Sequence, residues 1–111
     1  MDRPVIDASE LSIRMAELQR MRVALVILLS QETSKLLSRR QRVAGKEIEV
    51  MCAERDLHMG PQIDSNHQTL DRLMAEESSL RAALEGTENE IKQMEDVLAK
   101  IDADISKLCQ A

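Results

Sequence analysis

Three groups of residues have types and spacing that invite a chemical reading. Cys52, Asp56, His58, Asp64 and His67 fall within sixteen residues of one another and supply thiol, imidazole and carboxylate donors. Together they resemble a metal-ligating set, but the spacing matches no zinc motif, and no metal or other cofactor is expected. The run Ser38-Arg39-Arg40-Gln41-Arg42, flanked by Lys35 and Lys46, is the only basic cluster. It suggests phosphate contacts, yet no aromatic residue exists anywhere to stack on bases. The cysteines Cys52 and Cys109 are the only possible redox pair. In a straight hairpin they lie roughly 60 Å apart at 1.5 Å per residue, so they cannot pair within one chain. Free thiols fit a reducing compartment.

No Gly-rich phosphate loop, nucleophile elbow or CxxC pair occurs. Catalysis also needs groups held in a water-excluding pocket. The elements that carry these residues do not build one, so no enzyme is expected.

Those elements are two long helices. The chain has 111 residues, 43% hydrophobic and 32% charged, with no Phe, Trp or Tyr, three Gly and two Pro. The apolar set is Leu, Ile, Val, Met and Ala, which suits a narrow helix–helix seam. In the second half, heptad position a falls on Ile63, Leu70, Glu77, Leu84, Ile91, Leu98 and Ile105. Position d falls on Asn66, Leu73, Leu80, Thr87, Met94, Ile101 and Leu108. Of these 14 sites 11 are apolar, which holds one stripe on one face over nearly seven heptads. The first half repeats the 3–4 spacing in Leu11, Met15, Leu18, Leu25, Leu29, Leu36, Val43, Val50, Ala53 and Leu57, interrupted by Arg22, Glu32, Arg39 and Lys46.

Punctuation places the ends. Residues 1–8 form a lead-in, with Pro4 and then a capping box of Asp7 and Glu10. A first helix spans 9–58, a corner 59–64 built on Gly60-Pro61, and a second helix 65–109 capped from within Ser65-Asn66-His67-Gln68. A left-handed Gly60 suits such a helix end. So short a connection makes the helices antiparallel neighbours. The expected fold is therefore an all-α, long antiparallel two-helix hairpin of coiled-coil type, one domain over 1–111. Ser30-Gln31-Glu32-Thr33-Ser34 offers an alternative break that would give a three-helix bundle.

Folding about Gly60 sets a sites opposite each other where their numbers sum to 120 (Val50 with Leu70, Leu29 with Ile91). The d sites meet where numbers sum to 119, as in Leu25 with Met94. This register brings Glu32 to Thr87 and sets Glu77 opposite Val43 beside Arg39 and Lys46, so that Glu77 pairs with one of those cations. These polar seam residues, Glu32, Arg39, Lys46, Glu77 and Thr87, would specify register. The first helix carries 7 acids and 9 bases over 9–58, the second 11 acids and 5 bases over 64–109, an opposite bias that supports their pairing.

The informative excess lies at Met21–Leu29. Met21, Val23, Ala24, Val26, Ile27 and Leu28 add apolar side chains outside the seam. A helix apolar all round must be covered on every side. Met21, Val23, Val26, Ile27 and Leu28 are therefore the candidate partner-binding residues, for a second copy or for another protein. The net charge of −5 argues against nucleic acid as the main partner. The apolar run 23–29 rises only about 10 Å, far short of the ~20 residues that span a bilayer, and MDRPVIDASE does not read as a signal peptide. The expected location is the cytoplasm.

In architecture, over about residues 9–109, the two heptad-patterned helices resemble the small coiled-coil stalk proteins of bacterial flagellar and type III export ATPases, and in outline hairpin chaperones and short structural subunits. The resemblance rests on helical length and implies a non-enzymatic adaptor, stalk or assembly factor. A nucleic-acid-associated regulator using Arg39, Arg40, Arg42 and Lys46, and a purely structural homo-oligomer, are the alternatives.

Overall fold

A computed structural model describes residues 7–60 and 64–110. Helix α1 runs from Ala8 to Met59, 52 residues, and helix α2 from Asp64 to Gln110, 47 residues. They pack antiparallel, an all-α hairpin. No break occurs at 30–34. Ser30, Gln31, Glu32, Thr33 and Ser34 all lie inside α1, so the three-helix alternative is wrong. Ser and Thr cap a helix only where the chain already turns, and no Gly or Pro makes it turn there.

Local chemistry explains the ends. The Asp7 carboxylate accepts the Ser9 amide at 3.3 Å, and the Asp7 carbonyl accepts the Leu11 amide at 2.9 Å. The first satisfies one of the orphan donors of the first turn, and the second is the first i→i−4 bond of the helix. At the other end the Gly60 amide donates to the Asp56 carbonyl at 2.9 Å. Gly60 is not left-handed, contrary to expectation. Its missing side chain matters for another reason: a Cβ there would stand 2.9 Å from the Asp56 carbonyl oxygen. Pro61 and Ile63 lie outside the described residues, as does Pro4. Helix α2 is already under way at Ser65, whose carbonyl accepts the Thr69 hydroxyl at 2.9 Å. The expected capping run 65–68 is thus helical interior.

The chain divides into two compact units. One joins the start of α1, through Glu32, with α2 from Ile91 onward. Its interior centres on Leu18 and Ile101, with Leu11, Met15, Leu25, Leu29, Ile91, Met94, Leu98, Ile105 and Leu108 half-buried. The other spans Thr33–Glu90 and includes the corner. There Val43 and Val50 are buried, and Leu36, Ala53, Leu57, Leu70, Leu73, Leu80 and Leu84 are half-buried. Among the described residues, every position of the expected a/d stripes is buried or half-buried except Arg22. Outside those stripes only Glu47, Glu76 and Asp104 are as well covered. A seam this narrow hides few side chains fully, because each helix has a single neighbour to pack on.

The register differs from the expected one. A fold about Gly60 would set Arg22 opposite Leu98, Arg39 opposite Leu80 and Lys46 opposite Leu73. Instead Arg22 reaches Asp102, Arg39 reaches Thr87 and Lys46 reaches Glu76. Each cation's partner lies farther along α2, by 4, 7 and 3 residues respectively. The observed helix ends, Met59 and Asp64, put the point midway between them past Gly60, as the expected ends at 58 and 65 already do, so Gly60 is not the point about which the two stripes fold.

Candidate functional site

The polar seam residues fix which faces remain outside. In the unit Thr33–Glu90, Thr87 is 1% exposed and is the single polar side chain buried among the described residues. Its hydroxyl donates to the Ala83 carbonyl at 3.1 Å, one turn back along α2. The Arg39 guanidinium donates to the same hydroxyl through Nη1 and lies 3.5 Å from the Ala83 carbonyl. No buried side-chain polar atom among the described residues is left without a hydrogen-bond partner.

Lys46 sits at a seam position with its side chain 19% exposed, 2.7 Å from Glu76 across the seam and 2.8 Å from Glu49 on its own helix. The hydrogen bond to Glu49, then that to Glu76, raises the Lys46 pKa above its ordinary value. The Lys46 hydrogen bond in turn is the main cause holding the Glu76 carboxyl below its ordinary value. Glu77 does not pair with Arg39 or Lys46. It takes Arg81, one turn along its own helix, at 2.9 Å, and Arg81 also bonds Glu47 across the seam. The bond to Glu77 is the largest cause raising the Arg81 pKa. The i,i+4 spacing makes the local partner nearer than a cation on the facing helix. Thr87 likewise has Arg39 as its cross-seam partner where Glu32 was expected. Glu32 is half-buried.

The basic run does not present one cationic face. Arg39 turns into the seam, and Lys46 is held between two glutamates. Arg40 and Arg42 are exposed. Among the described residues, no three His, Cys, Asp or Glu side chains come together as a metal site, and Cys52 and Cys109 are free and exposed.

The candidate partner-binding residues all point outward in the unit that ends at Glu32. Met21, Val23, Val26, Ile27 and Leu28 are 41 to 58% exposed. The seam positions here are taken by the half-buried Leu25 and Leu29, and Val26, Ile27 and Leu28 between them are exposed. Burying five such side chains hides on the order of 400 Å² of apolar surface, the size of a functional patch. An open groove of about 520 Å³ runs along this face, lined by Ala16, Gln19, Arg20, Val23, Ala24 and Ile27. Sequence reasoning missed that exposed apolar residues recur elsewhere on α1. Ile13 is exposed in the same unit, and in the other unit Leu37, Ile48 and Met51 are exposed. Ile13, Ala16, Val23, Ile27, Leu37, Ala44, Ile48 and Met51 keep heptad spacing at positions b and f, which is a readable signal of a second stripe on α1. Met74 and Val97 are also exposed, without such a repeat on α2. No helix among the described residues is long and apolar enough to cross a membrane.

No family model, curated protein or solved structure matches the chain.

Proposed function

We propose that this chain is a non-enzymatic coiled-coil interaction protein, an adaptor, stalk or assembly factor within a larger protein complex. The observation that carries the reading is the outward face of Met21–Leu28. Five large aliphatic side chains stand about half exposed on a helix whose seam is already occupied. A second feature supports it. The residues able to do chemistry are either exposed and scattered or consumed by ion pairs along the seam. A docking helix needs what this face offers: aliphatic knobs at helical spacing, with charge at the margins.

The test is stoichiometric co-purification from the native host after mild cross-linking. The wild-type chain is expected to bring down a defined protein complex, and Leu28→Asp or Met21→Asp to lose it with the helical circular dichroism unchanged. Retention of that complex by both variants would remove the segment from the account. A nucleic-acid readout is included: no salt-sensitive DNA or RNA binding is expected, because the basic run is divided between the seam and the surface.

A further inference from the structure

We propose that the α1 face bearing Val23, Val26 and Ile27 is the contact for a second copy of this chain, paired antiparallel α1 against α1 about a two-fold axis near Leu25. This rests on the docking role of the segment proposed above and names one occupant for part of it.

The first argument is the spacing. Ala16, Arg20, Val23, Ile27 and Ser30 recur at 3–4 intervals on the face away from α2, the same repeat as the seam. Such a stripe fits a helix carrying a matching stripe. α2 does not carry one. The same heptad positions in this unit of α2 are Lys92, Asp96, Ala99, Ala103, Ser106 and Gln110, all exposed and none a large apolar residue. The matching partner within the chain is therefore α1 itself.

The second argument is self-complementarity. An isologous contact sets residue i of one copy against j of the other and j against i. With the axis near Leu25, Val23 of one copy packs on Ile27 of the other, and Ile27 on Val23. Arg20, the one cation within the stripe, falls against Ser30. On the flanks Ala24 meets Ala24, Val26 meets Val26, and Glu17 meets Gln31. No two like charges oppose each other. The reason is visible in the sequence: Val23–Gln31 contains no charged residue, and Glu32 beyond it is half-buried at a seam position. Like charges facing one another would cost stability, and this register contains none.

The third argument is size. The face and its flanks hide on the order of 500 Å² per copy, about 1,000 Å² in total, the lower end of specific interfaces. The pairing is thus a reversible, concentration-dependent dimer. Met21 and Leu28 occupy the opposite flank of α1 and stay outside this contact. They remain available to a different protein, so self-pairing and docking use separate residues of one segment.

The test uses the full chain with Cys52→Ser and Cys109→Ser, and a bis-maleimide shorter than two helical turns, about 11 Å. Ala24→Cys is expected to give a covalent dimer. Glu17→Cys alone is not, because an antiparallel pair holds its two copies roughly 24 Å apart. Glu17→Cys with Gln31→Cys in one chain is expected to link efficiently between copies. Adding Ile27→Glu should reduce linkage at least tenfold with circular dichroism unchanged. Linkage by Glu17→Cys alone as efficient as by Ala24→Cys would mean parallel pairing and overturn the proposal. No linkage by any variant would overturn it too, and loss of co-purified protein in Leu28→Asp would then show that the docking role survives without self-pairing.

Discussion

The Arg39 guanidinium donates to the Thr87 hydroxyl across the seam, at the single polar side chain that the described residues bury. Thr87 spends its own proton on the Ala83 carbonyl, so its oxygen is left to accept, and Arg39 is the donor that supplies the bond. An aliphatic residue at either site would remove a polar pairing that, with Lys46–Glu76 and Arg81–Glu47, fixes this register. Thr87→Val is expected to lower stability by about 1 kcal/mol, because Arg39 loses its acceptor in a half-buried site. Arg39→Leu combined with Thr87→Val is expected to be neutral or stabilising, with mixed oligomeric states on sedimentation. Urea unfolding of the four-member mutant cycle checks this. A double variant less stable than either single one would show that the pair contributes more than register.

Core truncation separates seam from surface. Ile101 is 5% exposed and Val97 50%. Ile101→Ala is expected to cost about 2–4 kcal/mol through lost burial and a residual cavity, whereas Val97→Ala stays within about 0.5 kcal/mol. Equal losses in urea unfolding would place both residues on the same footing and contradict the observed seam.

Two glycines are stabilisation sites. A Cβ at Gly45 or Gly86 meets nothing within 4 Å, and both lie inside helices. Gly45→Ala and Gly86→Ala are each expected to stabilise the fold by about 0.5–1 kcal/mol. Gly60→Ala is expected to destabilise by about 1 kcal/mol, since its Cβ would press on the Asp56 carbonyl oxygen. Thermal midpoints rank the three against wild type, and a stabilising Gly60→Ala would contradict the described helix end.

The Lys46 group makes stability depend on pH in a set direction. Glu76 is lowered from its ordinary 4.5, chiefly by the Lys46 hydrogen bond, so the folded carboxyl releases its proton more readily than the unfolded one. Its contribution is complete above that ordinary value and is lost as pH falls through it toward the depressed folded pKa. Lys46 is raised from 10.5, first by Glu49 and then by Glu76, so its contribution is complete below 10.5 and is lost as pH climbs through the raised folded pKa. Wild type should therefore weaken relative to Lys46→Met as pH drops from 7 to 3, in urea midpoints at low salt. A difference that stays constant across that range would show that the ion pair does not couple to folding.

Much of the architecture was legible because a two-helix seam leaves one signal, apolar spacing, and this chain keeps it. Leu18, Val43, Val50 and Ile101 sit where the heptads put them. Register was not legible, because apolar spacing does not say about which point of the connection the two stripes fold. Polar partners followed register, so Thr87 went to Arg39 where Glu32 was expected, and Glu77 turned to Arg81 on its own helix. Arg22, at a seam position, escapes burial by pairing at 2.7 Å with Asp102, both about half exposed, an arrangement of little energetic weight. At the outward face, Met21–Leu28 were readable as excess apolar residues. Ile13, Leu37, Ile48 and Met51 were hidden because a second stripe shares its residues with the polar side of the first.

The most direct measurement is sedimentation equilibrium of the full chain from low to high micromolar concentration, alongside Ile27→Glu, with helix content followed by circular dichroism. The account predicts a reversible monomer–dimer equilibrium for wild type and a monomer for Ile27→Glu at the same helicity. A wild-type chain that stays monomeric and freely soluble across the range would contradict the claim that the outward face of α1 is an interface between copies.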